Sequence, residues 1–126
     1  MQNNYQSHHM EFKRRIYQYS LNLIKFLQYL PKEPIYREIS GQLVRSGTSI
    51  GANYFEAQGA SSKKDYQNYF NHSLKSSNES RFWLSLLKES GLVSQECLVS
   101  CDALLKETQE FANIFAPSIL TMKGRR

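Results

Sequence analysis

The stretch Phe12-Lys-Arg-Arg-Ile-Tyr-Gln-Tyr-Ser-Leu-Asn-Leu-Ile-Lys-Phe-Leu-Gln-Tyr-Leu30 sets Phe12, Ile16, Tyr19, Leu23, Phe26, Leu27 and Leu30 mostly at steps of three and four. At about 100° per residue these fall on one arc of about 100°, which is the signature of a helix with one buried face. No alternation of period two is present, so a strand is excluded here. This predicts helix 1 over residues 10–30.

Working outward, the few glycines and prolines punctuate the rest of the chain. Pro31 and Pro34 bracket one joint, Gly59-Ala-Ser-Ser62 and Gly91-Leu-Val-Ser94 make two more, and Pro117 closes the last segment. Helix 2 is expected over 35–58, with Pro34 at its first position and a stripe of Ile39, Leu43, Ile50, Tyr54 and Ala57. Helix 3 is expected over 63–90. Ser62, three before Asp65, starts it in a near-relative of the capping box, and Gly91 stops it. Its stripe is Tyr66, Tyr69, Phe70, Trp83, Leu84 and Leu87, with Ser73, Ser76, Ser77 and Ser80 between. Helix 4 is expected over 95–116 behind Ser94, burying Leu98, Cys101, Leu104, Leu105, Thr108, Phe111, Ala112 and Phe115. Short joints force antiparallel neighbours, so the fold class is all-α, an up-down-up-down four-helix bundle. Residues 1–9 read as a flexible tail, 10–116 as the bundle and 117–126 as a basic tail.

Composition narrows the class further. The chain has 126 residues, with 16 Lys+Arg against 11 Asp+Glu, a net charge of +5. That length makes one domain. Hydrophobic residues at 40% and charged ones at 21% suit a packed core and exclude disorder. No apolar run is long enough to span a membrane, and Met1 to His9 carry no signal-like apolar region. The two cysteines, Cys97 and Cys101, form no disulfide framework and, four apart on a helix, read as small core residues. These features point to the cytoplasm.

Helix 2 holds the run Ser46-Gly-Thr-Ser-Ile-Gly-Ala-Asn53. Two interior glycines cost about 1 kcal/mol each, so something offsets them. Close approach of two backbones, with the serines of helix 3 on the other side, is one explanation. A kink that cradles a phosphate is the other, although no Gly-Lys-Ser/Thr follows as a P-loop requires. On a wheel, Glu38, Gln42, Arg45, Ser49, Asn53 and Glu56 form one polar row. Arg45 and Glu56 lie about 16 Å apart along the axis and cannot pair. The row reads as a solvated face with local bonds, as a register-fixing network in which Glu79 partners Arg45, or as a ligand site.

The run from Arg45 to Ala57, followed by Ser61-Ser-Lys-Lys-Asp65-Tyr66, Leu74-Lys75, Glu79 and Trp83-Leu84-x-x-Leu87, resembles the bacterial 23S rRNA intervening-sequence proteins. Its specific part is Arg-Ser-x-x-Ser-Ile-x-x-Asn-x-x-Glu, and the resemblance spans residues 10–116. Where many relatives carry Glu-Gly, this chain has Glu56-Ala57. Some members are encoded inside an insertion in the 23S rRNA gene and many are free-standing. The group is similar to the accessory variability protein of diversity-generating retroelements, which binds nucleic acid and its reverse transcriptase. The resemblance implies a four-helix bundle and a homopentameric, barrel-like assembly.

Catalysis is not indicated. A di-iron bundle needs Glu-x-x-His on two helices, whereas Gly59 stands three after Glu56 and Phe82 three after Glu79. His8 and His9 fall in the expected tail and His72 at a boundary position. No catalytic triad, metal set or cofactor motif is apparent, so no cofactor is expected. Self-association is better indicated. Tyr17, Leu21 and Ile24 form a second apolar stripe on helix 1, Val44 and Phe55 lie outside the core stripe of helix 2, and Phe82 and Leu86 outside that of helix 3. The back of helix 4, with Glu96, Glu107 and Glu110, suits open water. Basic residues Arg14, Arg15, Lys63, Lys64, Arg125 and Arg126 are the expected electrostatic contacts to RNA or DNA on an oligomer. The alternative is a structural or adaptor oligomer whose partner is a protein.

Overall fold

Two serines start helices with their own hydroxyls. The Ser62 side chain accepts from the Asp65 backbone N–H at 3.1 Å, and Ser94 accepts from that of Cys97 at 3.3 Å. In the computed structural model, which describes the backbone of residues 2–124 and the side chains of residues 8–124, the helices are α1 (Gln2–Gln28), α2 (Pro34–Ala57), α3 (Lys63–Glu89) and α4 (Gln95–Met122). Pro34 occupies the first turn of α2, where its missing N–H has no partner to lose. Gly91 follows α3 with φ +73°, a left-handed turn that glycine takes without strain.

Each helix packs on two others, in the order α1, α2, α3, α4 and back to α1, with no close backbone approach across the diagonals among the described residues. The registers run in opposite senses. Ser73 Oγ donates to the Ile50 carbonyl and Ser80 Oγ to Ser46 Oγ, both at 2.9 Å. Across α1 and α4, Arg15 meets Glu110 while Tyr19 meets Thr108. Neighbours are therefore antiparallel. Ile16, Tyr19 and Leu23 from α1, Leu43 and Ile50 from α2, Leu84 and Leu87 from α3, and Leu104, Phe111 and Phe115 from α4 fill the centre. Each fully buried large side chain contributes about 1.5–3 kcal/mol. At one end Phe12, Tyr54, Phe70, Phe111 and Phe115 meet edge to face or tilted, with centroids 4.9–6.3 Å apart.

The α2–α3 seam is lined by hydroxyls rather than bulk. Ser46, Ser73, Ser77 and Ser80 are all buried, and each donates to a carbonyl or to another serine. Among the described residues no buried side-chain polar atom lacks a partner. The glycines of α2 do a different job from the one expected of them. They face α1, not α3. A Cβ on Gly47 would lie 2.1 Å from Leu23 Cδ2, and one on Gly51 would lie 3.6 Å from Ser20 Oγ. The serines bring α2 against α3, and Gly47 admits Leu23 of α1.

Both ends of the chain depart from expectation. The segment read as a tail is helical from Gln2, and His9 packs on Tyr54 with its Nδ1 3.0 Å from the hydroxyl. Pro117 does not close α4 but lies inside it. A proline interior to a helix costs about 3 kcal/mol. The turn beyond it offsets that cost by burying Ile119 on the core, and the Thr121 hydroxyl donates to the Pro117 carbonyl at 3.0 Å.

Candidate interaction surfaces

The polar row of α2 is a locally bonded surface. Asn53 Nδ2 donates to the carbonyl and to the hydroxyl of Ser49, both at 2.9 Å. The Arg45 guanidinium folds back over Gly41, about 3.8 Å from where a Cβ would stand, and Glu56 is exposed. Glu79 does not partner Arg45. It accepts from Trp83 Nε1 at 3.1 Å on its own helix. No ion pair joins Arg45 to Glu79 among the described residues. Of the five residues expected to share a network, only Ser49 and Asn53 touch.

The outlying apolar residues divide into two faces. Tyr17, Leu21 and Ile24 of α1 stand beside Val44 and Phe55 of α2, and the Tyr17 and Phe55 rings are 6.4 Å apart. Tyr17 is 58% exposed and Ile24 44%. Lys13 lies over the Phe55 ring, 4.9 Å from its centroid. Between Ile24 and Val44 runs a shallow groove of about 310 Å³ floored by Leu27, open because Ser40 and Gly41 are small. Phe82 and Leu86 belong elsewhere. They project from α3, the helix diagonal to α1, and Phe82 packs against Trp83 at 5.0 Å.

The basic residues do not form one patch either. Arg14 is exposed on α1, and Lys63 and Lys64 are exposed in the first turn of α3, diagonally across the bundle. Arg125 and Arg126 lie outside the described residues. Arg15 is removed from the set by its partners. Its Nε donates to Glu107 at 2.7 Å, and its Nη2 donates to Glu107 at 2.8 Å and to Glu110 at 2.6 Å. The hydrogen bond to Glu107 raises its pKa above the ordinary arginine value, against the lowering effect of burial. This also corrects the expectation of open water for the back of α4, since Glu107 is partly buried under Arg15. The signal was present in the sequence. Glu107 and Glu110 stand three apart beside Phe111, on the edge of the core stripe.

Below Arg15, α1 and α4 separate into a groove of about 750 Å³ floored by Tyr19, Phe26 and Leu104. Gln18, Asn22 and Ser100 line its walls, and Arg14, Lys25 and Glu11 its rim. Sequence reasoning missed it, because a wheel shows which side chains face inward but not how far apart two helices stand. Among the described residues no group of three His, Cys, Asp or Glu side chains could hold a metal ion, and no helix is long and apolar enough to cross a membrane. Cys101 is buried and donates to the Leu84 carbonyl at 3.3 Å. Cys97 is half-buried.

Residues 8–114 match the family described as 23S rRNA-intervening sequence protein. The chain belongs to that family. A crystal structure of a protein of unknown function from the S23 ribosomal protein family of Bacteroides thetaiotaomicron is similar to it, at 30% identity and a TM-score of 0.75. That similarity covers 85% of this chain and 96% of the other. No curated protein matches. The helical bundle of the intervening-sequence family is thus shared, and it carries Arg45, Ser49, Asn53 and Glu56 on a surface.

Proposed function

We propose that this intervening-sequence family protein is a non-enzymatic, self-associating bundle that holds RNA or DNA by charge on the surface its copies share. The observation that carries the reading is the outward face of α1 and α2. It exposes Tyr17, Leu21, Ile24 and Phe55, which a lone bundle would leave wet. Lys13 stands over its Phe55 ring, and Arg14 and Lys25 stand on the neighbouring rim of the α1–α4 groove together with Glu11, the only carboxylate of α1; none of the three cations has an ion pair among the described residues. Repetition by symmetry multiplies a modest basic face into a field that attracts phosphates.

A gel shift with single- and double-stranded RNA and DNA across salt concentrations tests this. The expected result is affinity falling linearly with salt on logarithmic axes, weakened by reversing Arg14, Lys63 and Lys64 to glutamate. Arg15 is unsuited to the test, since Arg15→Glu would set three carboxylates together. Absence of any shift at low salt overturns the nucleic-acid reading. An assembled protein that shows no shift would support the adaptor role instead.

A further inference from the structure

The geometry points to the α1–α4 groove as a binding site for one nucleotide, with the base between the helices beside Gln18 and Asn22 and the phosphate on Lys25. The site goes beyond the shared charged surface proposed above. It needs only a single copy of the chain, and it recognises a base as well as a phosphate.

The groove is a slot that the side chains of α1 and α4 leave unfilled. Tyr19 bonds Thr108 near its upper end, and Cys97 Sγ lies 3.8 Å from the Tyr29 carbonyl at its lower end. Between these two points, over ten residues of α1 or about 15 Å along its axis, no side-chain hydrogen bond joins the helices among the described residues. Gln18 and Asn22 bond each other instead, Nε2 to Oδ1 at 3.0 Å, along α1 rather than across to α4. Opposite them α4 offers only the small side chains of Ser100 and Ala103, both exposed. The volume of about 750 Å³ is that of a small-molecule site, and Phe26 and Leu104 give it an apolar floor.

The lining selects the ligand. A slot with an apolar floor takes a flat ring. Its walls are polar: Gln18 keeps its carbonyl oxygen and an N–H, Asn22 keeps both N–H groups, and the Ser100 hydroxyl has no partner among the described residues. An acyl chain would bury these groups unpaired. A nucleobase edge, with a donor beside an acceptor, satisfies them as carboxamides satisfy adenine. The two ends then orient the phosphate. At the upper end Glu11, Glu107 and Glu110 stand with Arg14 and Arg15 and oppose a further anion. At the lower end Lys25 lines the groove with no carboxylate beside it in the lining, and it has no ion pair among the described residues. Lys25 stands three residues, or about 4.5 Å along the axis, beyond Asn22, which leaves room for one sugar between base and phosphate. Tyr29, 79% exposed, stands one turn further on and bounds the lower end.

Isothermal titration calorimetry tests the site, with circular dichroism confirming that each variant stays folded. Adenosine monophosphate should bind once per chain. Adenosine, which lacks the phosphate, should bind about tenfold more weakly, and ribose phosphate, which lacks the base, should not register. Lys25→Gln should lower adenosine monophosphate to the affinity of adenosine, and Ala103→Phe, which fills the slot, should remove both. A gel shift with unpaired oligoadenylate distinguishes the source of the base. A shift weakened by Ala103→Phe means that the groove takes a base from a strand, and an unchanged shift means that it takes a free nucleotide. The site is overturned if adenosine monophosphate does not bind, if Ala103→Phe binds it like wild type, or if ribose phosphate binds equally well. None of these results touches the charge-held reading, which the gel shift of the wild type decides separately.

Discussion

Replacing Gly47 with alanine adds one methyl group at the tightest point between α1 and α2. The new Cβ would lie 2.1 Å from Leu23 Cδ2, and Leu23 is fully buried. Restoring an ordinary contact requires a shift of more than 1 Å by a side chain held on all sides. Overpacking of this kind costs about 1–3 kcal/mol, against a gain of about 1 kcal/mol for alanine over glycine in a helix. Gly51 supplies the control. A Cβ there would meet Ser20 Oγ, the Ile16 carbonyl and Ile16 Cγ1 at 3.6–3.8 Å, which is ordinary contact. Both positions are interior to α2, so the helix-propensity gain cancels between them and only the clash remains. With about 3–5 °C per kcal/mol for a domain of this size, Gly51→Ala should melt a few degrees above wild type. Gly47→Ala should melt about 3–15 °C below Gly51→Ala. Thermal circular dichroism at one fixed protein concentration measures this, since assembly alone would move the midpoint. Leu23→Ala should also cost less in the Gly47→Ala background than alone, because the added methyl occupies part of the void. Coincident melting of the two glycine variants would refute the account of α2 against α1.

The serine seam and the buried acids give further tests. Ser46→Ala leaves the buried Ser80 hydroxyl without its acceptor and should cost about 1–2 kcal/mol in urea unfolding. Adding Ser80→Ala should cost less than its effect alone; strict additivity would show that the bond contributes nothing. Burial pushes the Tyr19 phenol up from 10.0 to about 12 and the Cys101 thiol from 9.0 to about 11, with Asp102 adding to the latter. Above pH 9 the unfolded chain therefore releases protons that the folded chain keeps. Stability is intact below pH 9 and falls through pH 9–12, by an amount on the order of 2–3 kcal/mol per group. Tyr19→Phe should flatten the upper part of that decline, and an unchanged pH curve would contradict it. At pH 8 a thiol reagent should modify Cys97 while sparing Cys101 until the protein unfolds.

What could be read from the sequence was local or periodic. The stripes of α1 to α4, the Ser62 and Ser94 caps, Pro34 in its first turn and the stop at Gly91 all follow from spacing and from the conformational limits of single residues. What escaped depended on distance or on competition. The wheel placed Gly47 and Gly51 at an interface but could not say which neighbour they met. Arg15 counted as surface charge until Glu107, ninety-two positions away, was found beside it. Pro117 followed a sound local rule that lost to the burial of Ile119. Glu79 bonds Trp83 on its own helix rather than Arg45 across the seam. Tyr17, Leu21, Ile24, Val44, Phe55, Phe82 and Leu86 were all legible as outlying apolar groups, but not that the first five share a face while Phe82 and Leu86 stand on the helix diagonal to α1.

The unequal seams have a consequence for redesign. Where buried serines hold α2 to α3, a larger side chain would have to displace both a packed neighbour and a hydrogen bond. Between α1 and α4 the opposite holds. Larger side chains at Ser100 or Ala103 could grow into unfilled space under the Arg15 clasp without moving either helix. An engineer wanting to install a binding pocket, or simply a sturdier version of this scaffold, has one wall to work on and one to leave alone.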